Sequence, residues 1–177
     1  MRPRLLLPLI SLLVLAISIS PASAQQTPPA PDKMQITTNP AAPLKISFNG
    51  KQEEWTAATL APLPHKTVQV FNAHTKTNQT YSGVPLSDLL TRLGVPATPH
   101  GKEFRFYLVA SGADGYQVVY SVAEVTPDIH DATVLVGDTL DGNPLTDSGP
   151  LQLVATGEKR PARWVKNLIE IRVLPSE

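Results

Sequence analysis

None of the 177 residues is cysteine, and the chain opens on "MRPRLLLPLISLLVLAISISPASAQQ". Two arginines, an apolar run from Leu5 to Ile19 and the small-residue ending Ala22-Ser23-Ala24 read as a secretory signal peptide, residues 1–24. The run falls short of the ~20 apolar residues that a spanning helix needs, so no membrane span is expected once the leader is removed. Small exported domains ordinarily reinforce a weak core with disulfides. This chain has none to form and must be held by buried apolar surface alone. The same absence excludes a thiolate nucleophile, an iron–sulfur cluster, thiolate-bound zinc and a lipid on a lipobox cysteine.

The core must therefore be large enough. Residues 25–43 hold Pro28, Pro29, Pro31, Pro40 and Pro43 with little apolar content and read as an extended linker. Residues 44–175 have the size of one ordinary domain, able to bury roughly two-thirds of the surface the unfolded chain exposes. Without Arg2 and Arg4, 13 basic residues face 15 acidic ones, a formal charge of −2. A nucleic-acid-binding domain carries a basic excess, so no nucleic-acid partner is expected.

Periodicity and punctuation give the elements. "LKISF" alternates as a strand and stops at the Asn49-Gly50 turn. Thr56 is placed to cap a short helix that Pro62 and Pro64 must end, and "KTVQVFN" alternates again. In "TYSGVPLSDLLTRLGVP", Pro85 opens a helix, Leu86, Leu89, Leu90 and Leu93 line one face, and Gly94 closes it before Pro96. "KEFRFYLVAS" and "GYQVVYS" read as a hairpin through residues 112–115. Ser121 and Glu124 have capping-box spacing for another short helix. "TVLVGDT" is a strand apolar on both faces, "GPLQLVA" a further strand, and "NLIEIRVLP" closes the chain with Ile169, Ile171 and Val173 expected inward. About seven strands with short interleaved helices predict an α+β fold, a mixed β-sheet domain.

Chemistry concentrates in "GEKRPARWVK", where Lys159, Arg160, Arg163 and Lys166 stand within eight positions. Pro161 prevents one regular helix, so the run is a loop. It is either a solvated loop with Trp164 packed beneath it or an anion site, since guanidinium groups grip carboxylate, sulfate or phosphate oxygens in pairs. His65, His74, His100 and His130 lack metal-ligand spacing and are expected at the surface. A Ser-His-Asp site from Ser82 or Ser121 with His74 has no nucleophile elbow. Asp138 and Asp141 flank a turn, where aspartate serves the backbone. No phosphate-cradling glycine motif occurs, and Asn78-Gln79-Thr80 is a glycosylation sequon.

Taken in order, several segments resemble the molybdopterin-binding oxidoreductase domain, the fold of the sulfite oxidase family. They are "LKISFNGKQEEWTAATLAPLPHKTVQV", "YSGVPLSDLLTRLGV", "ASGADGYQVVYSVAEV", "VLVGDTLDGNPLTDSGPLQLV" and "PARWVKNLIEIRV". The resemblance implies that the loop before the last strand faces the pterin and its phosphate, with Arg163 and Lys166 at the matched positions and Lys159 and Arg160 beside them. It also implies a molybdenum-ligating cysteine near the end of the second strand, where this chain has Asn72, or Phe71 by a shift of one. An amide is a poor substitute for a soft thiolate on that metal. The connection Ala73 to Thr80 is also shorter than in the family's enzymes.

Two readings follow. In the first, the chain is an exported, cofactor-degenerate module, periplasmic or secreted, that binds a small anionic ligand or a partner and carries no cofactor. In the second, it is an active molybdopterin-dependent oxidoreductase whose metal is held by the pterin dithiolene alone or by a ligand such as Asn72 or His74. A third role, as an interaction module for an exported redox or protein partner, would use Trp55, Tyr107, Tyr116 and Trp164.

Overall fold

The computed structural model describes residues 42–176. The expected leader, residues 1–24, and all but Ala42 and Pro43 of the expected linker lie outside them.

Ten strands, two α-helices and two 3-10 turns follow one another in this order: β1 Leu44–Phe48, β2 Lys51–Trp55, α1 Ala57–Leu60, β3 Lys66–Asn72, β4 Thr77–Pro85, α2 Leu86–Leu93, a 3-10 turn Gly101–Arg105, β5 Phe106–Gly112, β6 Gln117–Ser121, a 3-10 turn Val122–Val125, β7 Val134–Leu140, β8 Asn143–Pro144, β9 Gln152–Ala155 and β10 Leu168–Pro175. The domain is thus built of mixed sheets with few helices. Strands outnumber the seven expected because β2, β4 and β8 were not among them: β4 is a nine-residue strand that runs directly into α2, and β2 and β8 are short pieces returned by the turns after β1 and β7.

Local chemistry sets many of these boundaries. Asn49 and Gly50, with φ of 47° and 77°, make the left-handed two-residue turn that lets β1 and β2 pair. Thr56 accepts a hydrogen bond from the Thr59 N–H, and Thr59 Oγ1 accepts one from the Thr56 N–H, closing a capping box on α1. Pro85 ends β4 and starts α2 without a break, and at the far end the N–H groups of Gly94 and Val95 return to the carbonyls of Thr91 and Leu90. All four leucines of α2 are buried.

One sheet has the order β2-β1-β10-β5-β6, with β1 and β10 parallel and the other pairs antiparallel. The other has β3-β4-β7, and β7 then meets β8 along its second half and β9 along its first. The main core joins Leu44, Ile46, the leucines of α2, Leu108, Tyr120, Val134, Val136, Leu153 and Ile171. A smaller core joins Val68, Tyr81, Leu135, Leu145 and Val154. Because Val134 and Val136 face one and Leu135 the other, β7 is buried on both faces, which accounts for its unbroken apolar run.

Two expectations, one about facing and one about a strand boundary, are corrected. Ile169 is only half-buried, because a bulge between Leu168 and Glu170 shifts the alternation, and the inward residues of β10 are Leu168, Ile171 and Val173. Residues 102–105, expected in the strand, form a 3-10 turn before β5 begins at Phe106.

Candidate functional site

The segment between β9 and β10 crosses from one sheet to the other. Val165 exchanges hydrogen bonds with Leu153 of β9, at 2.9 and 3.2 Å, and three residues later the chain enters β10. Trp164 seats the crossing: its ring packs against both cores, meets Tyr81 edge-on at 5.3 Å, and its Nε1 donates to Ala155 O at 2.8 Å. The packed tryptophan beneath a loop is the arrangement expected of a solvated loop.

Arg163 has turned back toward the first sheet. Its NH1 donates to Glu124 Oε1 at 2.7 Å and reaches Val119 O at 3.4 Å, while Nε and NH2 both donate to Glu158 Oε1, Nε at 2.9 Å. The guanidinium lies 4.5 Å from the centre of the Tyr120 ring, and the Tyr120 hydroxyl donates to Arg163 O at 2.7 Å. The Tyr116 hydroxyl holds Ala162 O. Four of the five guanidinium hydrogens are therefore used by the chain itself. The residues form a strap that fastens the loop over edge strand β6.

Glu124 is itself preorganised. Its Oε2 accepts from the Ser121 N–H at 2.8 Å and the Ser121 hydroxyl at 3.0 Å, completing the capping box expected from the sequence. Burial works to raise this carboxyl, but the bonds from Ser121 and Arg163 outweigh it and hold it below its ordinary value. The Glu124 hydrogen bond in turn does most to hold Arg163 above the usual arginine range, against the opposing effect of burial. Burial pushes the Tyr120 hydroxyl upward, so it remains a neutral donor.

Beneath the strap lies a cavity of about 380 Å³ whose lining includes Tyr120, Glu124, His130, Glu158, Lys159 and Arg163. The four cations of the loop do not converge on it. Arg163 is partnered, Lys159 lines the cavity with no carboxylate partner among the described residues, and Arg160 and Lys166 are exposed and not part of the lining. Alternation explains Lys166: Val165 points inward in its bridge with β9, so its neighbour points to solvent.

Asn72 lies elsewhere. Its Nδ2 donates to Gln79 Oε1 at 2.8 Å, and its Oδ1 accepts from the N–H groups of His74 and Thr75 at 2.9 and 3.2 Å, closing the β3–β4 hairpin. In register, Lys66 of β3 stands opposite Gly83, and Gly83 opposite Gly137; the cavity residues Val134 and Ala155 pair three residues further along that end. Asn72 is six residues along β3 in the other direction, about 20 Å at the rise of a strand. The amide and the basic loop occupy opposite ends of the second sheet. Phe71, the alternative position, is 66% exposed.

Among the described residues no group of three His, Cys, Asp or Glu side chains is arranged to hold a metal ion, and no helix is long and apolar enough to cross a membrane. Residues 42–177 match the family model described as the oxidoreductase molybdopterin-binding domain. The chain belongs to that family. A separate likeness, 40% identical over 68 residues, links it to the DNA primase small subunit PriS of Thermoplasma volcanium and covers 38% of this chain. The chain spans 20% of the length of that curated relative, and this local match carries no argument about activity.

Sequence reasoning missed two partners of Arg163. Glu158 was adjacent to the cations in the quoted run, and its spacing of five from Arg163 across a proline was the available signal. Glu124 carried a signal only for capping, because it lies 39 residues away and meets Arg163 through the β6 turn.

Proposed function

We propose that this member of the molybdopterin-binding oxidoreductase family is an exported, cofactor-degenerate binding module that takes a small anionic ligand at the strap cavity. The observation that carries the reading is the neutralisation of Arg163 by Glu124 and Glu158. A pterin phosphate at the matched position would have to displace two carboxylates that are already hydrogen-bonded there.

The residues present do not fit a molybdenum–pterin group. The chain offers no thiolate. Asn72, which the resemblance matches to the family's metal-ligating cysteine, is consumed by a hairpin turn at the end of the sheet away from the cavity. At the cavity itself, the charges of Glu124 and Glu158 offset those of Arg163 and Lys159, where a pterin phosphate and dithiolene would call for a cationic surround. A small anion makes a lesser demand, which the ammonium of Lys159 and a ring N–H of His130 supply together. Arg163 is then a positioning residue that holds the loop carrying Lys159.

Family membership favours the second reading, an active molybdopterin-dependent oxidoreductase, and the same preparation separates the two. Protein purified from the exported fraction of a host that makes the cofactor is expected to contain neither molybdenum by elemental mass spectrometry nor pterin by fluorescence. Near-stoichiometric amounts of both would overturn the proposal. Inorganic sulfate and phosphate, titrated by calorimetry, are expected to bind the wild type and to lose at least tenfold in affinity in Lys159→Ala.

A further inference from the structure

A second charged contact, outside the cavity lining, joins an exposed histidine to a buried carboxylate of the β3-β4-β7 sheet. His65, just before β3, has both ring nitrogens engaged: Nδ1 lies 2.7 Å from Leu63 O and Nε2 lies 2.8 Å from Asp138 Oδ2. A carbonyl only accepts, so Nδ1 carries a hydrogen. In a neutral ring, Nε2 would then turn a lone pair toward a carboxylate oxygen, placing two acceptors at hydrogen-bond distance. The contact requires a proton between Nε2 and Oδ2.

The carboxylate is placed for this by the strands rather than by a turn. Asp138, expected beside a turn, is the unpaired residue of a bulge where the β4–β7 register passes from Ser82–Thr139 to Gly83–Gly137, and the bulge frees its side chain from simple alternation. Only glycine fits at position 83, since a Cβ there would stand 2.2 Å from Val136 O. Asp138 is 7% exposed, and its second oxygen, Oδ1, has no hydrogen-bond partner among the described residues. All of its compensation comes through the other oxygen and His65.

We propose that His65 and Asp138 form a proton-dependent latch, in which one shared proton fastens the start of edge strand β3 to the bulge of β7. When that proton leaves, a buried carboxylate faces a lone pair and the segment Pro62–His65 is released from the sheet. Asp138 is the charged group that faces the ring among the described residues; the neighbouring ammonium of Lys66 is turned away to Thr133 Oγ1 at 2.9 Å. The Asp138 hydrogen bond, against the opposing effect of burial, holds the imidazolium above its ordinary value of 6.5. The latch is therefore closed below the ordinary value of 6.5 and opens as pH rises through the raised value. It rests on no reading of the cavity.

The test is a pH titration of the purified protein by proton–carbon NMR of its four histidines, alongside thermal unfolding over the same range. His65 is expected to titrate above the ordinary value of 6.5, and the unfolding midpoint to fall through that same interval. His65→Gln keeps a donor for Asp138 without a titrating ring and is expected to abolish that fall. Asp138→Asn is expected to bring the His65 midpoint down toward or below 6.5. If His65 titrates at or below 6.5, or if the alkaline fall survives in His65→Gln, the latch is refuted. The wild-type titration decides even where Asp138→Asn does not fold.

Discussion

Arg163 with its two glutamates and His65 with Asp138 are both cation–carboxylate contacts that tie a loop to a strand, yet their settings differ in every respect that matters. The Arg163 guanidinium is 37% exposed, permanently charged and satisfied by several partners. The His65 contact is a single bond to a carboxylate 8% exposed, with one oxygen left unpartnered. Removing one bond from the strap leaves others and water. Removing one from the latch strands a buried charge. Redundancy makes the strap a fastening, and its lack makes the other pair sensitive to a proton.

The largest effect is expected where the frame of the latch is broken. Gly83→Ala drives a Cβ into the β7 backbone and should cost about 3 kcal/mol in urea unfolding, with the His65 resonance losing its displaced titration. Arg163→Ala comes next. It removes the strap and leaves Glu124 and Glu158 without their cation, and because the group is partly solvated the loss should be about 2 kcal/mol, read as a lower urea midpoint at unchanged slope. A loss near zero would mean that the strap is ornamental and that the guanidinium is free to take a ligand.

The two contacts should also separate along the pH axis. Glu124, depressed below its ordinary 4.5, contributes stability that is complete above that value and lost as pH falls through its folded value. His65, raised above 6.5, contributes stability that is complete below that value and lost as pH rises through its folded value. Thermal midpoints measured from acid to mildly alkaline pH should therefore show two limbs, with Arg163→Ala flattening the acid limb alone and His65→Gln the alkaline limb alone. Cross-talk between them would mean that the strap and the latch are coupled. The smallest effect is expected for Arg160→Ala and Lys166→Ala, exposed and outside the cavity lining, each within about 0.5 kcal/mol of wild type.

Interactions that span a few residues were legible in the chain itself. The Asn49-Gly50 turn, the Thr56 and Ser121 caps, the glycine stop of α2, the β5–β6 hairpin and the both-face burial of β7 all formed as their local patterns imply. The packed tryptophan under a basic loop was one of the two alternatives the sequence left open. Where periodicity misled, at Ile169, and where a turn role was expected, at Asp138, a bulge had inserted one residue into a strand. Such a residue is chosen by the neighbouring strand's register and leaves no trace in its own segment.

By itself, then, the sequence determined where the chain turns, what must be buried, and that neither a thiolate nor a disulfide can occur, because these follow from backbone sterics, side-chain alternation and composition. Only the tertiary structure decided which charges meet. Glu124 reaches Arg163 across 39 positions and Asp138 reaches His65 across 73, while Asn72 and the basic loop, expected at one face, stand at opposite ends of a sheet. Coulomb attraction acts on distance in space, and that distance is set by the order in which strands pair.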